Sequence, residues 1–311
     1  MKRVFLVIMF FLYTVSASAE EGVRLTIGAE RLAEYSHLIE GRRVGVLANH
    51  TSRVGSTYLV DTLLSCGVDV MVIFTPSDGF RGEGTPSGRD SHLGIAIKTL
   101  HSAPKANDIF GCDVVLCDLQ DGGVRGSAVE ALYRTMGVCA DLEIPFVVLD
   151  RPLANGRVTD GAIPEQRYCT ACQMPPLPLL YGMTLGEVAR MINGEGWLSG
   201  GRKCPLTVVP AVGWSGEVST TPASIVARGV ASCVIITNER GEIDLSGIVG
   251  AYSESENKEE FFVGEEFNRL LGVSYAKEMV EQGYTASEIH TMWRPDIERF
   301  FALRTQYLIY K

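Results

Sequence analysis

Apolar positions along the chain fall into two patterns. Short, nearly continuous apolar runs of β-rich composition occur at residues 43–48 (RVGVLA), 68–74 (VDVMVIF), 113–117 (DVVLC), 145–149 (PFVVL), 206–212 and 232–236. Segments of helical period lie among them at 57–66, 129–142 and 183–193. The last of these opens with Thr184 and carries Glu187 three residues on, the sequence of a capping box. Strands that are apolar throughout have both faces buried, and helix-length connections between them are what a parallel sheet requires. The pattern predicts a doubly wound, mostly parallel, Rossmann-like α/β domain over residues 20–250. Residues 250–264 are polar and acidic and read as an exposed linker. Helical pieces near 265–271, 275–282 and 295–310 then predict a small, mainly helical C-terminal region over 251–311. His92 and His101 flank a further segment that reads as helical.

The chemistry gathers at strand ends. In an open parallel sheet, ligands bind beyond the carboxyl ends of the strands. Those ends carry Asn49 and His50, then Ser77 and Asp78, then Asp118, Gln120 and Asp121, then Asp150 and Arg151. A single strand-end Asp or Asn more often caps a loop than serves a ligand. Four ends delivering polar groups toward one edge point to a site. The Gly-rich stretch 79–84 carries Arg81 and Glu83. It has neither G-x-G-x-x-G nor G-K-[ST], so it reads as backbone that can approach a ligand closely rather than as a phosphate cradle. His50 is either an acid–base group or a donor to a backbone carbonyl. No G-x-S-x-G elbow is present to support a Ser-His-Asp hydrolase. Asn49-His50-Thr51 also matches a glycosylation acceptor, although a strand-end crevice is a poor place for one.

Composition narrows the setting. The 311 residues, 46% hydrophobic and 21% charged, can bury a full core. A net charge of -9 without a basic run argues against a nucleic-acid partner. Lys2 and Arg3, the apolar run 4–15 and Ala17-Ser18-Ala19 predict a secretory signal peptide over residues 1–19. The expected location is periplasmic or extracellular, with no membrane span after cleavage. Cys112, Cys117 and Cys233 lie in strand-like runs, and Cys66 and Cys139 end helix-like ones, as small buried hydrophobes do. Cys169 and Cys172, in a loop-like stretch, are placed to pair with each other. No second close pair completes a zinc site, so neither a metal nor another cofactor is expected.

Several of these segments resemble the DUF1343 family, which contains exo-β-N-acetylmuramidases of the NamZ type (glycoside hydrolase family 171). The resemblance lies in residues 42–51 (RRVGVLANHT), 118–125 (DLQDGGVR), 144–152 (IPFVVLDRP), 181–187 (YGMTLGE), and Trp293-Arg294-Pro295 through Tyr307-Leu308-Ile309-Tyr310. It covers nearly the whole chain in order. It implies an α/β glycosidase fold and, as partners, peptidoglycan fragments or muramic acid glycosides. It also implies substrate contacts from Asn49, His50, Arg81, Asp118, Gln120, Asp121, Arg125, Asp150, Arg151 and Asn238.

The chain departs from the family where the chemistry is expected. Pro76-Ser77-Asp78-Gly79 stands in place of Pro-Glu-His-Gly, so the family's acid is Ser77 here. Gly126-Ser127-Ala128 replaces an aromatic Tyr-Thr-Tyr, Leu153-Ala154 replaces Asn-Pro, and the segment between Tyr252 and Phe267 is shortened. Glycoside hydrolysis normally needs two carboxyl groups. The candidates that remain are Asp78, Glu83 and Glu187, the last also explained by its capping box. Three readings follow: an exported glycosidase with weak or altered activity, a non-catalytic muropeptide- or glycan-binding envelope protein, and an envelope protein using the sheet edge for partners.

Overall fold

A computed structural model describes residues 24–76, 79–82, 88–100, 104–153, 156–172, 174–216, 224–226, 234–238 and 241–310. The predicted signal segment lies outside the described residues, as do Ser77, Asp78, Glu83, Glu239 and Arg240.

Among the described residues, seven strands form the central sheet. Across it the order is Leu206–Val209, Phe146–Leu149, Val114–Asp118, Arg43–Ala48, Asp69–Thr75, Ala96–Thr99 and Gly88–Arg89. Neighbours run parallel, except that Gly88–Arg89 is antiparallel to Ala96–Thr99. Successive side chains in a strand point to opposite faces, and here both faces are apolar. Leu47, Val115, Cys117, Phe146 and Val148 pack with helices Ser127–Asp141 and Leu185–Gly194. Val44, Val46, Leu116, Val147 and Leu149 pack with helices Leu32–Ile39 and Leu59–Ser65 on the other face. Apolar residues at every strand position thus become two cores, and the architecture is the Rossmann-like one that the pattern predicts.

A third core, built on Phe261, Phe262, Phe267, Leu271, Ile289 and Trp293, belongs to the C-terminal helices Ser246–Glu254, Glu266–Leu271, Ala276–Glu281 and Ala286–Arg304. It includes Ala162, Leu179 and Leu180 from the earlier part of the chain, so the helices are seated on the α/β domain. Among the described residues, no helix is long and apolar enough to cross a membrane.

Six local expectations are corrected. The segment between the two histidines contains a strand, Ala96–Thr99, rather than a helix; Ile97 is buried while Lys98 faces out, the period of two that a strand shows. Val234–Thr237 is a strand but belongs to a separate three-stranded antiparallel sheet with Ser224–Val226 and Ile243–Asp244. An apolar run signals burial without naming its partner strand. Thr57–Tyr58 is extended, and the helix begins at Leu59. The last helix starts at Ala286, where Thr285 and Glu288 form a reciprocal cap, and Pro295 lies inside it. Proline commonly occupies a first helical position, which is why 295 reads as a start. Cys169 is a free, buried thiol donating to the Pro164 carbonyl, not one half of a disulfide. Cys66 is exposed rather than buried, because it follows the last turn of the helix Leu59–Ser65, whose buried residues are Leu59, Val60 and Leu63.

Candidate active site

The sheet order fixes where a ligand would sit. From the central strand Arg43–Ala48 the chain moves outward on one side through Asp69–Thr75 and Ala96–Thr99. It then returns to Val114–Asp118 and moves outward on the other side. The switch point lies between the ends of these two central strands, where Ala48 and Asp118 are register partners.

A polar cluster is built there from consecutive loops. Asn49 Oδ1 accepts from the Thr51 backbone N–H at 3.0 Å and its hydroxyl at 2.5 Å, while the Asn49 N–H donates to Ser52 Oγ at 2.8 Å. Ser52 Oγ donates to the backbone carbonyl of Asp118, tying the two strand ends together. The fully buried Asp118 carboxylate receives Nε and Nη2 of Arg151 at 2.5 and 3.0 Å. Burial pushes this carboxyl up, and the Arg151 guanidinium works against that. Gln120 Nε2 donates to the carbonyls of Asp121 and Pro152.

Asp121 is the unusual group. The N–H groups of Gly122 and Gly123 serve its carboxylate, but among the described residues no guanidinium or ammonium does. Its Oδ2 is screened from solvent and has no hydrogen-bond partner among the described residues. Burial raises its pKa to about 7. It is therefore a carboxyl that holds its proton close to neutrality, beside a carboxylate neutralised by arginine.

The other sequence-nominated residues serve elsewhere or lie apart. Asp150 is buried and accepts from Thr184 Oγ1 at 2.7 Å, the Gly186 N–H at 2.8 Å and the Tyr310 hydroxyl at 2.7 Å. Burial raises it to about 6. A Cβ on Gly186 would stand 2.6 Å from the Asp150 carboxyl carbon, so only glycine allows this approach. Glu187 is completely buried and closes the predicted capping box with Thr184. It also receives Arg157 at 2.9 and 3.1 Å and the Ile309 N–H at 2.8 Å. Among the described residues, the contacts of Glu187 hold the helix start, Arg157 and the end of the chain together. Arg125 donates to the carbonyls of Leu177 and Leu270. Arg81 is held by Asp61 and Asp90. Asn238 bonds Glu242 on the small antiparallel sheet. His50 is exposed at the strand end. Ser77, Asp78 and Glu83 lie outside the described residues.

Two residues that the sequence reading passes over adjoin the cluster. Arg53 and Tyr58 face each other across a short hairpin turning at Gly55, whose φ is 60°. The backbone carbonyl of Arg53 accepts from Arg151 Nη2 at 2.8 Å. The signal was the Gly55-Ser56 turn, just before the stretch 57–66 that reads as helical. Among the described residues, no group of three or more His, Cys, Asp or Glu is placed to hold a metal ion.

Comparison with known proteins decides the family. The model for "Exo-beta-N-acetylmuramidase NamZ, N-terminal" matches residues 44–225, and its C-terminal counterpart matches 234–310. The chain belongs to the NamZ family. The Peptidoglycan beta-N-acetylmuramidase NamZ of Bacillus subtilis (strain 168) is 28% identical over 183 residues, which is 53% of this chain and 42% of that protein. The aligned part thus spans less than half of that NamZ relative. A DUF1343 family protein from Bacteroides fragilis has a TM-score of 0.78 at 27% identity, covering 93% of this chain and 99% of that one. A second from the same organism, at 21% identity and a TM-score of 0.76, shares the fold. The N-terminal NamZ match contains the whole switch-point cluster, from Asn49 to Arg151.

Proposed function

We propose that this NamZ family member is exported and acts on peptidoglycan-derived glycans, as a glycosidase for muramic acid glycosides whose turnover is slowed by Ser77. Family membership and the B. subtilis relative's activity support the substrate class. The observation that carries the reading is Asp121. Cleavage of a glycoside needs one protonated acid for the leaving oxygen and one carboxylate to assist water or attack carbon. A screened carboxyl with a pKa of about 7 is suited to the first task. Asp118, bound on two sides by Arg151, is poorly suited to the second. The family pattern has a catalytic carboxylate at position 77, where this chain has serine, and with Asp121 as the protonated acid the missing group is the second one.

A non-catalytic muropeptide binder is the second reading, favoured by that same Ser77. The two separate on a chromogenic muramic acid glycoside, with muropeptide affinity measured in parallel. Loss of one acid–base partner typically lowers rate by about 10² to 10⁴. Ser77→Glu should therefore raise kcat by about 10² or more with little change in KM, and Asp121→Asn should remove the gain. Muropeptide binding by wild type, with no turnover in either it or Ser77→Glu, would support the binder instead.

A further inference from the structure

Arginines near the switch point differ in one respect. Arg151 is engaged by Asp118, and Arg81 by Asp61 and Asp90. Arg53 is exposed, and no carboxylate among the described residues pairs with it. Its side chain is nonetheless held in place. Nη2 donates to the Tyr58 hydroxyl at 2.8 Å and Nη1 to the Ser56 carbonyl at 3.3 Å, with the guanidinium carbon 4.2 Å from the Tyr58 ring centroid. The Arg81 guanidinium also stacks on this ring, at 4.7 Å, so Tyr58 is fixed by a group that is itself locked. The hairpin is joined to the switch point through the Arg151 bond to the Arg53 carbonyl.

A pre-positioned guanidinium without a counter-charge among the described residues, beside a polar cluster in a chain of net charge -9, is a local exception to the protein's field. Guanidinium matches carboxylate in shape and donor geometry, and holding it in advance reduces the entropy lost on binding. We propose that Arg53, supported by Tyr58, receives the carboxylate of an acidic sugar bound at the switch point. It would be the residue that selects an acidic over a neutral amino sugar. This rests on the glycan reading above and adds the group that decides specificity.

The test compares N-acetylmuramic acid, which carries a lactyl carboxylate, with N-acetylglucosamine, which lacks it. Binding of each is measured by titration calorimetry to wild type, Arg53→Ala and Arg53→Lys. Wild type should prefer the acidic sugar by about 10-fold, a preference that shrinks as salt is raised. Arg53→Ala should abolish the preference by lowering affinity for N-acetylmuramic acid far more than for N-acetylglucosamine, and Arg53→Lys should restore part of it. If Arg53→Ala keeps the wild-type preference, the role of Arg53 is overturned and the glycan reading stands. If wild type binds both sugars equally, the selectivity is overturned alone. If wild type binds neither sugar, the glycan reading falls and the role of Arg53 falls with it.

Discussion

Asp121 and Asp118 show how two carboxyls three positions apart acquire different characters. Asp118 meets a guanidinium on two of its atoms, whereas among the described residues the Asp121 carboxylate meets backbone N–H groups, with its Oδ2 screened from water. The Asp121 pKa rises from 3.8 to about 7, so the folded chain holds this proton more tightly than the unfolded chain does. Folding stability therefore falls as pH rises from about 4 to about 7, and the loss remains above that range. Asp121→Asn, which cannot ionise, should remove that slope. Its Tm relative to wild type should be higher at about pH 8 than at about pH 4.5, by an amount equivalent to about 1–3 kcal/mol. A pH-independent difference in thermal unfolding would show that Asp121 is not a buried neutral acid. Strand-end placement made this residue legible in the sequence as a site candidate. Its protonation was not legible, because it depends on atoms brought in by folding. Asp150 and Glu187 show the converse: the capping box of Glu187 was readable, but the last residues of the chain that occupy both carboxylates were not.

At the scale of elements, runs apolar at every position were enough to identify the central parallel strands, because each residue must face one of two covered surfaces. The edges were harder. Ala96–Thr99 is half-buried and short, and Val234–Thr237 finds its partners in another sheet. The helix Ala286–Arg304 was readable in period but displaced at its start by Pro295. This helix carries a pH-dependent joint. Asp160 accepts from the N–H groups of Gly161 and Ile243, from Trp293 Nε1 at 3.0 Å, and bonds His290 Nε2 at 2.9 Å. The bond to Asp160 raises the pKa of His290, helped by Glu242 and opposed by burial and by Arg294. A raised folded-state value means that the stabilisation is complete below about 6.5 and is lost as pH rises through the folded-state value. His290→Gln should lower Tm more at about pH 5.5 than at about pH 9. An equal loss at both would mean that the imidazole contributes packing alone.

At the scale of the whole molecule, the C-terminal helices and the α/β domain are closed on each other through Tyr310. Its hydroxyl donates to Asp150 Oδ2 and accepts from the Ala211 N–H at 2.8 Å. Its carbonyl accepts from Arg157 at 2.5 Å, and its ring packs edge-on with Trp214. Asp150 follows the strand Phe146–Leu149, which neighbours Val114–Asp118, so this closure bears on the strand next to the proposed site. Tyr310→Phe keeps the ring but leaves the Ala211 N–H without its partner and removes one of the two donors to Asp150 Oδ2, which keeps Thr184. Unsatisfied buried groups of this kind cost about 1–3 kcal/mol. The loss should also depend on pH. Burial places the Asp150 pKa at about 6, and the Tyr310 hydroxyl is one of the donors that hold it down. Without that donor the value rises further, so ionising Asp150 in the folded state becomes more costly. Below about pH 5 the carboxyl is protonated in the folded state, and the variant loses only the neutral hydrogen bonds. Above about pH 7 it also loses support for a buried charge, so the gap from wild type widens with rising pH. Denaturant unfolding of both proteins across this range measures the gap directly. A gap of constant size would mean that Asp150 does not ionise while folded and that Tyr310 acts only through the groups it pairs.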